Sequence, residues 1–153
     1  MNPSSLSQPL SESTDAAPVA IGKIGNSRFG TVGFYVVAVL FNLCLGLQLL
    51  TVGLAYFANP DWWQPHVWLV RGYGGLSLVL LVWVYATAFP QRIRALTVSM
   101  PILLGLQFLT IHWHPSFLPW PLAVVHPLVG FSLFSISTTL VHRVWRLIAP
   151  QAA

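Results

Sequence analysis

Two carboxamides and two imidazoles stand inside or beside long apolar runs, and they come in a repeated order. The string Leu45-Gly46-Leu47-Gln48-Leu49-Leu50-Thr51 returns as Leu104-Gly105-Leu106-Gln107-Phe108-Leu109-Thr110, and each copy is followed by a Trp/Pro-rich stretch and a histidine, His66 or His126. Neutral imidazole is a good iron ligand, so two of them presented from different helices can hold a b-type haem. Glutamine both donates and accepts, so Gln48 and Gln107 can grip a haem propionate, a quinone carbonyl or one another. The plainer reading is equally available. Interhelical amide bonds hold helices together, His66 is an interfacial side chain wet at one end, and His126, followed by Pro127, serves the free amides of a helix start.

Arg71 is the remaining polar group at depth. A cation within a span costs at least about 2.5 kcal/mol unless it snorkels or pairs. Asp61 is the nearby acid; otherwise a bound anion such as a propionate or a lipid phosphate must serve.

Other chemistries lack their residues. Of three acidic residues, Glu12 and Asp15 lie in the N-terminal tail, so paired-carboxylate hydrolysis and proton-coupled transport have almost no means. His112-Trp113-His114 puts two imidazoles at i and i+2, which converge on one metal only along extended chain, and no carboxylate lies beside them. Cys44 is the sole cysteine and sits in an apolar run, which excludes a disulfide or a thiolate cluster and suits a small buried residue. The few basic residues are scattered at segment ends, so the net charge of +4 does not indicate a nucleic-acid partner.

These groups need apolar elements to carry them. With 56% hydrophobic residues, 7% charged and mean hydropathy +0.72, the chain is far poorer in charge than the roughly 25% of a soluble domain. Four segments reach the length of a bilayer span: about Val32 to Phe57, Val67 to Phe89, Ala95 to His112 and Leu122 to Leu147. Asn59-Pro60-Asp61, Pro90, and Pro115 with Pro119 and Pro121 mark the breaks, while Pro101 falls near the start of the third segment as an early-turn residue or a kink. The expected fold is all-α, an integral membrane antiparallel four-helix bundle of two pseudo-repeated hairpins over residues 31–148. Residues 1–30 read as a flexible, uncleaved cytoplasmic tail, and 149–153 as a short C-terminal tail. Lys23, Arg28, Arg92, Arg94, Arg143 and Arg146 fall on one side, which makes both termini cytoplasmic in a multi-pass cell-membrane protein. His142 at that end complements the last helix dipole. The opposite side gathers Trp62, Trp63, Trp68, Trp113 and Trp120, the composition of an interfacial belt.

Helical spacing aligns the polar groups. His66, Val70, Tyr73, Gly74, Ser77 and Leu81 form one stripe, and His126, Gly130, Leu133 and Ser137 another. Small residues beside a histidine admit either a flat ring or a neighbouring backbone. At 1.5 Å per residue, Gln48, Gln107, His66, His126 and Arg71 all fall in the outer half, where they can share a cavity.

The segment from Leu45 to Arg143 resembles a group of small four-helix bacterial membrane proteins of uncharacterised function, through Gln48, Gln107 and His126-Pro127-Leu128-Val129-Gly130. That group is similar in turn to half of haem A synthase, whose four-helix halves ligate haem by histidines on their second and fourth helices. The resemblance implies His126 as a haem ligand, with Arg71 and Gly74 matching the second-helix pattern His-Arg-x-x-Gly. Here Val70 occupies the histidine position and His66 lies one turn earlier.

Two functions follow as expectations. One is a b-type haem-binding or quinone-interacting redox protein, with His126 and His66 on iron, Arg71 as anion partner, Gln48 and Gln107 as polar lining, and Gly74 and Gly130 as room for the ring. The other is a non-catalytic accessory or scaffold subunit of a membrane complex, surrounded by lipid. Small-solute permeation is disfavoured, because four short helices leave little lumen.

Overall fold

In the computed structural model, residues 28–113 and 121–149 are described. They form four helices: α1 (Arg28–Phe57), α2 (Trp63–Ala86), α3 (Gln91–His112) and α4 (His126–Ile148), with single 3-10 turns at Pro60–Trp62 and Leu122–Val125 leading into α2 and α4. Each helix packs on the next and α4 closes on α1, while the backbones of the diagonal pairs stay farther apart, so the bundle is a square ring of antiparallel neighbours around one core. All four are long and apolar enough to cross a membrane.

The inward faces show how the sequence specifies this ring. Buried positions advance by four and three alternately, through Tyr73, Ser77, Leu80 and Val84 on α2 and Leu133, Ser137, Leu140 and Val144 on α4. That spacing follows the seam of a gently supercoiled bundle. On α1, Phe34, Ala38, Phe41, Leu45 and Thr51 are matched on α3 by Ile93, Thr97, Met100, Leu104 and Thr110, each 59 positions on. Positions on α2 recur on α4 at an offset of 60, as from Tyr73 to Leu133. The internal repeat therefore covers the whole core and not only the string at Leu45. Leu80, not Leu81, continues the buried stripe of α2.

Helix boundaries depart from the predicted segments where polar residues were read as connections. α1 begins at Arg28, α2 at Trp63 and α3 at Gln91, so Arg92 and Arg94 lie in the first turn of α3. Asn59 starts the second hairpin arm: its side-chain oxygen accepts from the Asp61 N–H at 2.9 Å, and Pro60 fits the first turn, whose N–H needs no partner. At the other end α2 stops at Ala86, where Thr87 turns to extended backbone with φ −117° and ψ 143°. Phe89 thus leaves the helix but not the core; it is 3% exposed and packs on Phe34 with ring centroids 4.6 Å apart. The predicted N-terminal tail up to residue 27 and the C-terminal residues 150–153 lie outside the described residues, as do His114, Pro115, Pro119 and Trp120.

Candidate functional site

Each hairpin closes around its own glutamine, threonine and histidine. In the first, Gln48 on α1 sits three residues before Thr51, one turn of helix, so both side chains face the start of α2. The Gln48 amide nitrogen lies 3.0 Å from His66 Nε2 and donates to the His66 carbonyl at 3.1 Å. Thr51 Oγ1 is 3.1 Å from His66 Nδ1 and donates to the Gln48 carbonyl at 2.7 Å. An amide nitrogen can only donate, so His66 Nε2 accepts and the ring proton is on Nδ1, where Thr51 oxygen receives it. Every polar atom of the ring is consistently engaged. His66 is half-buried and bonded to α1, not an imidazole with one end in water.

The second hairpin repeats the trio with a different fit. With its amide oriented so that donor meets acceptor, Gln107 donates to His126 Nδ1 at 2.8 Å and to the His126 carbonyl at 2.9 Å, and its oxygen accepts from the Gly130 N–H at 2.9 Å. Thr110 donates to the Gln107 carbonyl at 2.8 Å. Both Thr110 Oγ1 and the Gln107 carbonyl oxygen lie 3.2 Å from His126 Nδ1, but the shorter amide contact decides the tautomer: Nδ1 accepts and Nε2 carries the proton. His126 Nε2 has no hydrogen-bond partner among the described residues.

Gly130 makes this arrangement possible. In this orientation a Cβ there would stand 2.7 Å from the Gln107 side-chain oxygen, so the carboxamide lies close against the α4 backbone. The equivalent position in the first hairpin is Val70. A valine carries the Cβ that Gly130 lacks, and in this hairpin Gln48 Oε1 is buried without a hydrogen-bond partner among the described residues. The histidine-to-glycine spacing read as room for a ring is in fact filled by Gln107.

The remaining candidates lie apart from these clusters. Arg71 is exposed on α2, with its guanidinium 5.6 Å from the centre of the Trp68 ring, and no ion pair involves it among the described residues. Asp61 instead accepts from the Asn59 side chain at 3.1 Å, so the Asp61 partnership for Arg71 does not form. Gly74 faces Leu104 across the seam of α2 and α3. The open hollow between α2 and α3 and the one beside Arg28 and Pro90 are lined by none of His66, His126, Gln48 and Gln107. His112 ends α3, where Nδ1 donates to the Phe108 carbonyl at 2.8 Å, and no group of three or more metal-ligating side chains occurs among the described residues.

Three participants escaped the reading of the letters. Thr51 and Thr110 belong to the repeated string, yet only the folded hairpin shows that their hydroxyls complete the trio. Asn42 donates to Ser137 Oγ at 3.2 Å and to Thr138 Oγ1 at 3.0 Å, bonding α1 to α4. Its signal was available: an amide six residues before Gln48 in the same apolar run.

Residues 48–111 match the model of a family of unknown function, DUF6220, a stretch that takes in Gln48, Thr51, His66, Arg71, Gln107 and Thr110 but stops before His126. No curated protein and no solved structure matches the chain.

Proposed function

We propose that this chain is a non-catalytic accessory subunit of a membrane complex, a four-span bundle whose two hairpins are each fastened by a Gln-Thr-His trio. One observation carries the reading: the imidazoles that could have done chemistry are hydrogen-bonded to the glutamine of the preceding helix. In lipid such bonds average about 0.6 kcal/mol apiece, and several acting together tie each hairpin near its connecting end. The arginines at the starts of α1 and α3 and at the end of α4 share one end of the bundle, which supports cytoplasmic termini in a cell membrane.

The bis-histidine haem reading fits this geometry poorly. The Nε2 lone pair of His66 already accepts from Gln48, and Gln107 fills the space over Gly130. A second reading keeps one specific support, the unpartnered Nε2 of His126. As an N–H it suits a ligand oxygen such as a quinone carbonyl better than iron, which needs the lone pair.

Purification in mild detergent from a haem-replete host separates these readings. The accessory role predicts co-purification with a larger assembly and no absorption band in the Soret region. A solitary protein with a Soret band that vanishes in His126→Ala contradicts it.

A further inference from the structure

The internal repeat makes the seam between α4 and α1 equivalent to the seam between α2 and α3, yet the two are built differently. Between α1 and α4, Asn42 bonds to Ser137 and Thr138, and Phe134 packs against the core. At the equivalent places the other seam has Pro101 for Asn42, Leu78 for Thr138, Gly74 for Phe134 and Arg71 for Phe131. The bonding amide and the filling ring are both gone. An open, almost wholly apolar groove of about 320 Å³ results, with Gly74, Gly75, Pro101, Gly105 and Phe108 along its walls and Arg71 beside them.

We propose that this groove is a phospholipid site, with one acyl chain between α2 and α3 and the phosphate on Arg71. Charge is the deciding argument. Arg71 lies eight residues into α2, about 12 Å from its start, with only the Trp68 ring beside its guanidinium and no carboxylate paired with it among the described residues. A planar guanidinium matches phosphate oxygens two at a time, and its long stem reaches back toward the headgroup level at the tryptophan end of the bundle. A neutral quinone would fill the groove but leave the cation uncompensated. A phospholipid meets both halves of the site, and this holds whichever role the Gln-Thr-His trios have.

Native mass spectrometry of the detergent-purified protein tests it, with phosphatidylglycerol and the diacylglycerol of the same chains as probes. An added Cβ at Gly75, Gly105 or Gly72 meets nothing within 4 Å, so Gly105→Leu is chosen to fill the groove and Gly72→Leu is a control outside it. Unchanged helical circular dichroism and melting verify that each variant folds. The expected result is one phosphatidylglycerol per chain, bound about tenfold more weakly in Arg71→Gln. Diacylglycerol binding should be weak and indifferent to Arg71→Gln, Gly105→Leu should lose both, and Gly72→Leu should retain both. Phosphatidylglycerol binding that survives both Arg71→Gln and Gly105→Leu overturns the site. So does a co-purifying neutral quinone that Gly105→Leu displaces and Arg71→Gln does not.

Discussion

The two hairpins carry the same glutamine, threonine and histidine at matching positions, but one residue separates their outcomes. Gly130 lets the Gln107 carboxamide lie on the α4 backbone and satisfy both its oxygen and its nitrogen, whereas the first hairpin has Val70 at that position and Gln48 Oε1 has no hydrogen-bond partner among the described residues. The lesson is that a buried polar trio is specified as much by the absence of a Cβ beside it as by the polar residues themselves. A carboxamide needs two partners, and only a glycine surface exposes backbone closely enough to supply the second.

Removing the glutamines should separate the halves most strongly. Gln107→Leu forfeits three hydrogen bonds and should cost about 2 kcal/mol, and Gln48→Leu, which already carries an orphaned oxygen, about 1 kcal/mol. Reversible unfolding in mixed micelles reads both. Equal losses would mean that the extra bond to the Gly130 backbone contributes nothing. Gly130→Ala comes next: the new Cβ displaces the Gln107 amide, and after the better helix propensity of alanine is set against the lost bonds, a net loss of about 1 kcal/mol is expected in the same measurement.

The reverse exchange is subtler. Val70→Gly should give Gln48 Oε1 access to backbone, so its cost should be smaller in the wild-type background than in Gln48→Leu, by about 0.5 kcal/mol in a double-mutant cycle. Additive effects would show that Val70 is not what holds the amide away. The smallest effect is expected where the halves agree. Gly46 and Gly105 occupy equivalent positions, and a Cβ at either meets open space. Gly46→Ala and Gly105→Ala should each leave the melting temperature unchanged or slightly raised, through helix propensity alone.

Much of this was legible in the letters. Four apolar runs and a repeated string are periodic, extended signals, so the all-α bundle of two hairpins followed directly. Helix starts at Arg28, Trp63 and Gln91 were harder, because charged and aromatic residues at span ends belong equally to a helix and to a connection. At the site, the pairing of each glutamine with its own histidine was not readable, since sequence spacing gives depth along a helix but not rotation toward one neighbour or another. Gly130 illustrates the ambiguity: a missing side chain marks space, and only the fold tells whether a ring, a backbone or a carboxamide fills it. Asn42 and Pro101 were missed as a pair because the visible repeat begins at Leu45, whereas the structural repeat reaches back to Phe34.

The central claim is that both imidazoles are held by protein groups in opposite tautomers. Long-range nitrogen–proton correlation spectra of histidine-labelled protein in micelles, assigned with His66→Asn and His126→Asn, measure this directly. The account predicts a neutral His66 protonated on Nδ1 and a neutral His126 protonated on Nε2, with Gln107→Leu altering only the His126 signals and Gln48→Leu only those of His66. Two rings in the same tautomer, or ring signals indifferent to both glutamine substitutions, would contradict it.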